Sequence, residues 1–157
     1  MATEASEKPS AKSKRVNLRR PDVMEQVKAE VMTHYRSELV DRLRAHGEVH
    51  CPTSRITIKL AKEFGFCYGV ERCIDLAYAA LKVFPNQPLY ILGEIIHNPE
   101  VNDQIRDMGI QFLSGPNKAA DMDDLGEGDI LIIPAFGTEV GLRKRLEAKG
   151  CQFVDTT

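Results

Sequence analysis

The amino-acid sequence predicts an α/β fold in which a mostly parallel sheet carries helices on both faces and follows a helical N-terminal extension. Two observations support this fold class. Short apolar runs rich in Ile, Leu and Val alternate along residues 55–157 with longer segments whose apolar residues recur every three or four positions. Strands that alternate with helices pair in parallel, because each helix carries the chain back across the sheet.

The length and hydropathy of the chain limit what it can be. Its 157 residues, 43% of them hydrophobic, are enough for one well-buried domain but short for two. No run reaches the ~18 to 20 apolar residues of a membrane span, and the N-terminus lacks the apolar stretch of a secretion signal. We therefore expect a cytoplasmic protein with no membrane partner, or a plastid protein if the host is a plant.

Basic residues concentrate at the N-terminus. Residues 1–20 hold six basic and two acidic side chains, whereas the remaining 137 residues hold fifteen basic and twenty-one acidic ones. Nucleic-acid binding needs a basic face, which the body of the chain lacks, so we expect no nucleic-acid partner. The basic tail, residues 1–20, has no apolar periodicity and is predicted to be disordered.

A helical extension is predicted for residues 21–50. Pro21 stands where a first helical residue would, and Gly47 supplies the stop. One continuous helix is expected between them, because apolar residues recur every four positions and therefore share one face. These residues are Val27, Val31, Tyr35, Leu39 and Leu43.

Alternating strands and helices are predicted for the α/β domain, residues 55–157. Short apolar or alternating segments predict five strands, at 56–60, 89–92, 110–113, 129–134 and 152–154. Apolar residues spaced by three and four predict three helices, at about 70–84, 99–108 and 138–149. Ligands of a parallel sheet bind beyond the carboxyl ends of its strands, so Cys67, His97, Phe136 and Thr157 should lie along one edge.

Cys67 lies between two glycines, just before a predicted helix. Unpaired N–H groups and the helix dipole favour a thiolate there, and a thiolate can bind a metal or attack an electrophile. The alternative is a small buried side chain at a tight turn. Cys73 points about 240° away around the same helix and cannot readily share a metal with Cys67. Cys51 and Cys151 are interpreted as structural, and no two cysteines form the CxxC pair of a zinc ribbon.

His97 follows the second predicted strand and precedes Asn98 and Pro99, a helix start whose N–H groups suit an anion such as phosphate. On position alone, a solvated loop histidine is an equal alternative. The standard signatures of dinucleotide, NTP, zinc protease and serine hydrolase sites are missing from the sequence. Two function classes stay open beside a metal enzyme: an enzyme with Cys67 as nucleophile and His97 as base, and a non-catalytic α/β ligand-binding module.

Four segments, in this order, resemble the first domain of one enzyme family. They are GFCYGVERCIDLAY at 65–78, GEIIHNPEVN at 93–102, ILIIPAFGTEV at 130–140 and VDTT at 154–157. Together they are similar to the 4-hydroxy-3-methylbut-2-enyl diphosphate reductase (IspH/LytB) family over residues 55–157. The helical extension also resembles the longer form of the family in cyanobacteria, plants and some other bacteria.

The resemblance implies both a fold and a chemistry. Members of this family arrange three similar α/β domains as a trefoil around a 4Fe-4S cluster, and each domain gives the cluster one cysteine. They take electrons from a donor such as ferredoxin or flavodoxin. With two electrons they remove the hydroxyl of an allylic diphosphate, which yields isopentenyl and dimethylallyl diphosphates.

The resemblance also implies roles for individual residues. Cys67 matches the first cluster ligand, and His97 matches a histidine that binds the substrate diphosphate. Phe136 stands where many bacterial members have a second diphosphate-binding histidine, so the replacement for that donor is open. In the family, the second cluster cysteine follows the Thr-Thr on which this sequence ends, and the proton-relay glutamate lies further along. The resemblance therefore implies a truncated first domain that is inactive by itself.

Overall fold

A computed structural model describes residues 17–157 of the chain. The predicted tail at 1–20 lies outside the described residues except for its last four, among which the side chain of Leu18 is buried in the hydrophobic core. Within this part of the chain, no helix is both long enough and apolar enough to cross a membrane.

The N-terminal extension forms two helices where the sequence predicted one. Helix α1 spans Pro21–Tyr35 and helix α2 spans Glu38–His46. Arg36 and Ser37 between them are extended, and the Ser37 hydroxyl accepts a hydrogen bond from the Val40 N–H at 3.4 Å. A serine that caps a new helix competes with continuation of the preceding one, which explains the break.

Helix α1 packs against the longest helix of the domain, α3, which spans Tyr68–Val83. Val27 of α1 is fully buried and belongs to the same apolar cluster as the inner face of α3. The Tyr78 hydroxyl lies 2.7 Å from His34 Nδ1 across this contact. Burial raises the pKa of Tyr78, so the hydroxyl stays protonated and joins the two helices.

The first predicted strand, residues 56–60, does not belong to the main sheet, and this part of the prediction was wrong. Strand β2 (Thr57–Lys59) instead pairs antiparallel with strand β1 (Glu48–His50), which the sequence did not predict. The Lys59 ammonium lies 2.6 Å from the Glu48 carboxylate across the hairpin. All three residues of β2 are exposed, which is incompatible with a sheet that helices cover on both faces.

Four strands form the main sheet: β3 (Leu89–Ile91), β4 (Gln111–Phe112), β5 (Ile130–Ile133) and β6 (Gln152–Asp155). All are parallel, in the order β4-β3-β5-β6. Helix α4 (Pro99–Asp107) connects β3 to β4, and helix α5 (Val140–Ala148) connects β5 to β6. These elements confirm the predicted α/β fold.

Both faces of the sheet are buried. Successive side chains of a strand point to opposite faces. Ile130 and Ile132 pack in one apolar cluster with α1, α3 and α4, whereas Leu131 and Ile133 pack in a second cluster with α5 and the 114–128 connection. Strand β5 is therefore apolar at every position, as expected for the centre of a parallel sheet.

The substitution Val27→Ala tests whether α1 belongs to the core. It removes two carbon atoms from a fully buried position, which should lower the free energy of unfolding by about 2 kcal/mol through lost burial and a residual cavity. Met32→Ala, on the exposed side of the same helix, should change it by less than about 0.5 kcal/mol. Urea unfolding followed by circular dichroism measures both, and equal effects would contradict the docking of α1.

Candidate functional site

The order of the strands marks the place where this sheet can bind a ligand. After β3 the chain moves to β4 on one side, and it then crosses to β5 and β6 on the other side. The helices that follow β3 and β5 lie on opposite faces, since α4 contributes to one apolar cluster and α5 to the other. Such a divergence leaves a crevice at the carboxyl ends of two neighbouring strands, where α/β domains bind ligands.

A cleft of about 400 Å³ lies at this crevice, and we call it the switch-point cleft. Two loops supply most of its walls. The lining residues are Leu92, Gly93, Glu94 and His97 after β3, and Pro134, Phe136, Gly137 and Thr138 after β5. Gly93 lets these walls approach the next segment, because a Cβ atom there would lie 3.1 Å from Ser114 Oγ. The Ser114 hydroxyl in turn donates a hydrogen bond to the Leu92 carbonyl at 2.6 Å.

His97 is held on two sides in the switch-point cleft. Its Nδ1 lies 3.0 Å from Glu94 Oε2, and its ring stacks on Phe136 with centroids 4.5 Å apart and planes inclined by 15°. The ring is otherwise open, because 76% of the side chain is exposed. The structure thus places His97 beyond the carboxyl end of β3, where the sequence predicted an anion contact.

Glu94 is held in turn by Asn102, a buried residue of α4. Asn102 Nδ2 donates to Glu94 Oε1 at 3.2 Å and to the Ile96 carbonyl at 2.9 Å, and Asn102 Oδ1 accepts from the Ile95 N–H at 3.0 Å. Sequence reasoning missed both Glu94 and Asn102. The available signal was a carboxylate three positions before a histidine in a loop that follows a strand.

Helix α4 begins directly after the histidine, as predicted. Asn98 is its N-cap, and the side-chain oxygen of Asn98 accepts a hydrogen bond from the Val101 N–H at 3.2 Å. Pro99 occupies the first turn, where its missing N–H costs nothing. The cap therefore fixes where the chain turns from the His97 loop into α4.

Cys67 is the N-cap residue of α3, and its exposed side chain makes no capping hydrogen bond. The two aromatic residues of the preceding segment contact the N-terminal extension. Phe66 meets the Tyr35 ring edge-on with centroids 5.6 Å apart, and the Arg44 guanidinium lies 4.8 Å from the centre of the Phe64 ring. Helices α1 and α2 therefore support the segment that carries Cys67.

The first turns of α3 contact the end of β6. Arg72 donates hydrogen bonds to the carbonyl oxygens of Thr156, at 2.7 Å, and of Thr157. Thr156 Oγ1 donates to the Ile133 carbonyl at 2.6 Å, which leaves it to accept from the Cys73 thiol at 2.9 Å. These bonds tie the start of α3 to the carboxyl edge of the sheet.

The structure brings three of the four residues predicted for this edge together. His97 and Phe136 are in contact, and a Cβ atom on Gly137 would lie 3.6 Å from the Thr157 methyl group. Cys67 begins α3, whose Arg72 contacts the end of β6, and it does not follow a strand of the main sheet, because β2 belongs to the separate hairpin. The reason given for placing Cys67 at the edge was therefore wrong. Within residues 17–157, no hydrogen bond joins Cys67 to His97.

The other three cysteines occupy different environments. Cys73 and Cys151 are buried, and burial raises the pKa of both thiols. Cys51 lies in the turn of the hairpin, where hydrogen bonds from Ser54 and Thr53 lower its pKa to about 7. Across the part of the chain that the structure describes, no three His, Cys, Asp or Glu side chains are grouped to hold a metal ion. Cys67 fits a cluster only as a single exposed ligand.

Comparison with known proteins identifies the family. The model of the LytB protein family matches residues 58–157. The chain is 44% identical over 123 residues, 78% of its length, to a 4-hydroxy-3-methylbut-2-enyl diphosphate reductase of Prochlorococcus marinus (strain AS9601), and spans 31% of that protein. It is 39% identical over all 157 residues to the reductase of the same name from Synechococcus sp. (strain WH7803), and spans 39% of it.

Two solved structures also resemble this chain. One is (E)-4-hydroxy-3-methyl-but-2-enyl diphosphate reductase, described as the terminal enzyme of the non-mevalonate pathway, with 33% identity, a TM-score of 0.50 and coverage of 64% of this chain and 33% of that chain. The other is a diphosphate reductase from Plasmodium falciparum, with 31% identity, a TM-score of 0.53 and coverage of 61% and 28%. Because the family match covers well over half of its residues, the chain belongs to the LytB family.

Proposed function

We propose that this chain supplies the first cluster cysteine and a diphosphate-binding histidine of a 4-hydroxy-3-methylbut-2-enyl diphosphate reductase. The reaction consumes two electrons and two protons, breaks the bond between carbon and the allylic hydroxyl oxygen, and releases water with isopentenyl or dimethylallyl diphosphate. The observation that carries the proposal is the family match over residues 58–157, which contain both Cys67 and the switch-point cleft with His97.

Cys67 is the residue of this chain that suits a 4Fe-4S cluster. Such clusters are held by cysteine thiolates and supply electrons one at a time. The Cys67 thiol is exposed at the first turn of α3, where unpaired N–H groups and the helix dipole favour a negative charge. We assign the remaining ligands of the cluster to other parts of the enzyme, because within residues 17–157 no three His, Cys, Asp or Glu side chains are grouped to hold a metal ion.

His97 is the residue that we assign to the substrate diphosphate. It is the one side chain lining the described switch-point cleft that can carry a positive charge. The hydroxyls of Ser114 and Thr138 line the same cleft, and Ser114 already donates to a carbonyl. When the ring is protonated, the nitrogen that does not face Glu94 can donate a charge-assisted hydrogen bond to a phosphate oxygen.

The electrons must come from a separate protein. We assign this role to a one-electron carrier such as ferredoxin or flavodoxin, because a 4Fe-4S cluster accepts electrons singly. We also propose that the reaction takes place in the cytoplasm, or in the plastid of a plant host. The relatives of this chain include reductases from Prochlorococcus and Synechococcus, and the chain spans about a third of the length of each.

A nucleophilic enzyme is the second candidate function, and one observation favours it. Glu94 holds the Nδ1 side of His97, as the third member of a catalytic triad holds its histidine. Against it, no hydrogen bond links Cys67 to His97 in the described part of the chain, although nucleophile and base must lie within reach of each other. The family match therefore favours the reductase.

The four thiols should be alkylated at different rates, because they differ in exposure and in pKa. Iodoacetamide at pH 7 to 8 should modify Cys51 and Cys67 rapidly, and Cys73 and Cys151 slowly, as measured by peptide mass spectrometry. Cys51 should be half ionised near pH 7, and Ser54→Ala should raise its pKa and slow its alkylation at that pH. If His97→Ala slowed the alkylation of Cys67, the result would favour the nucleophilic enzyme.

Cys67→Ser should prevent assembly of the cluster. The test uses a chimera in which this chain replaces the matching segment of the Synechococcus sp. (strain WH7803) reductase. Serine is a harder and mostly protonated ligand, so iron and sulfide content after anaerobic reconstitution should fall and turnover should stop. Cys51→Ser, at a half-buried position in the hairpin turn, is the matched control and should retain both. A Cys67→Ser chimera with full iron content would contradict the assignment.

His97→Ala in the same chimera should behave differently. It removes a contact to the diphosphate but no thiolate, so the visible absorption of the cluster should persist. Substrate binding should weaken by roughly 1 to 3 kcal/mol, about 5- to 150-fold, the range for a lost hydrogen bond to a charged group. His46→Ala, on the exposed surface of α2, is the control. Loss of the cluster in His97→Ala would show that His97 supports the metal site instead.

A further inference from the structure

We propose that Glu94 is a positioning residue for His97: held by Asn102, it accepts the Nδ1–H of the ring and so directs the Nε2–H of the charged ring toward an anionic ligand in the switch-point cleft. The inference rests on the proposed function, in which His97 contacts a diphosphate. It goes further by assigning the nitrogen that makes the contact and the residue that selects it. Glu94 touches neither ligand nor cluster in this assignment and acts through His97.

The hydrogen bond between His97 and Glu94 determines which nitrogen is free. The two atoms, Nδ1 and Oε2, are 3.0 Å apart. An ionised carboxylate can only accept a hydrogen bond, so Nδ1 carries the proton in both the neutral and the charged ring. Nε2 makes no hydrogen bond within the described residues, although the ring lines the cleft. Nε2 is therefore the atom available to a ligand, and it donates to an anion when the ring is charged, because in the neutral Nδ1–H ring it holds a lone pair.

Glu94 can select the tautomer because it is itself fixed. Its second oxygen, Oε1, accepts a hydrogen bond from Asn102 Nδ2 at 3.2 Å. Asn102 is 1% exposed, and two further hydrogen bonds to the backbone of Ile95 and Ile96 hold its amide in place. A carboxylate anchored in this way cannot follow the histidine if the ring rotates, so it prefers one ring orientation.

Phe136 restricts the remaining freedom of the ring. The stacked contact, with centroids 4.5 Å apart and planes inclined by 15°, fixes the plane of the imidazole but not which edge faces the cleft. Glu94 determines which edge of the ring faces the cleft, because it accepts a hydrogen bond from Nδ1. The two contacts together define both the plane and the direction of a side chain that is 76% exposed.

The positioning role and a purely electrostatic role predict opposite effects. Glu94 is the one anionic side chain that lines the described switch-point cleft. If charge alone mattered, its removal would reduce repulsion and strengthen the binding of an anion. If positioning matters, removal lets the ring turn, and the apparent affinity falls with the fraction of time that Nε2 faces the ligand.

The first experiment reads the tautomer directly. Two-dimensional ¹H–¹⁵N NMR of the imidazole ring, on the 157-residue chain at a pH where His97 is neutral, distinguishes a protonated from an unprotonated Nε2. We expect the Nδ1–H form in the unmodified chain and a shift toward the Nε2–H form in Glu94→Ala. Glu94→Gln keeps an acceptor oxygen and should keep the Nδ1–H form. An unchanged tautomer in Glu94→Ala would overturn the proposal.

The second experiment titrates inorganic pyrophosphate into the same proteins at a pH where the His97 ring is charged, so that Nε2 carries a proton. It follows the backbone amide signals of Gly93 and Gly137, which line the cleft and are present in every variant. Glu94→Ala should raise the dissociation constant by about three- to tenfold, as expected when the competent orientation falls to a third or a tenth. Glu94→Gln should bind at least as tightly as the unmodified chain. Glu100→Ala removes the same charge from the exposed first turn of α4 and should not weaken binding. Tighter binding by Glu94→Ala would overturn the proposal.

Two further samples separate this inference from the function on which it rests. If His97→Ala binds pyrophosphate as tightly as the unmodified chain, the diphosphate contact is wrong, while the tautomer measurement still decides the role of Glu94. Glu94→Leu retains apolar volume without an acceptor and replaces Glu94→Ala if the latter loses its dispersed amide spectrum. It should show the same shift of tautomer, and an unshifted Nδ1–H form would again overturn the proposal.

Discussion

The parallel pairing of β3 with β5 is the constraint on which the rest of the site depends. Leu89, Tyr90 and Ile91 pair in register with Ile130, Leu131 and Ile132, so both strands end at the same level. The loops that follow them then run to opposite faces and meet only at their start, where His97 stacks on Phe136. A shift of register by one residue would turn the buried side chains of β5 to the wrong cluster, so the core itself enforces this alignment.

The second part of the site depends on how α3 is anchored. Cys67 has no strand of the main sheet before it, and its place follows from the helix that it begins. Two contacts hold that helix. Near its start, Arg72 donates hydrogen bonds to the carbonyls at the end of β6, and further along, the Tyr78 hydroxyl contacts His34 of α1. The N-terminal extension is therefore part of the structure that locates the cysteine, and not a separate appendage.

The buried polar residues lie where the chain leaves the sheet. In the described part of the chain these residues are Asn102 and Thr156, and every buried side-chain polar atom has a hydrogen-bond partner. Asn102 fixes the loop after β3, and Thr156 joins the ends of β5 and β6 to α3 through Ile133 and Cys73. Loss of either side chain would leave its buried partners without a hydrogen bond, at a cost of about 1 to 3 kcal/mol in the free energy of unfolding. These loops are therefore well defined although they lie at the edge of the sheet.

The sequence by itself determined the local structure of the domain and the place of its chemistry. Periodicity and caps located α3, α4, α5 and the four parallel strands to within two residues, because these signals arise from contacts along one element. The rule that ligands bind beyond parallel strands placed His97, Phe136 and Thr157 at one edge. Only the tertiary structure placed β2 in a hairpin with β1, because alternation at 56–60 does not say which strand will pair with it. Likewise, the hydrogen bond from Asn102 to Glu94 forms only once α4 folds back on the preceding loop, and spacing along the chain does not encode that contact.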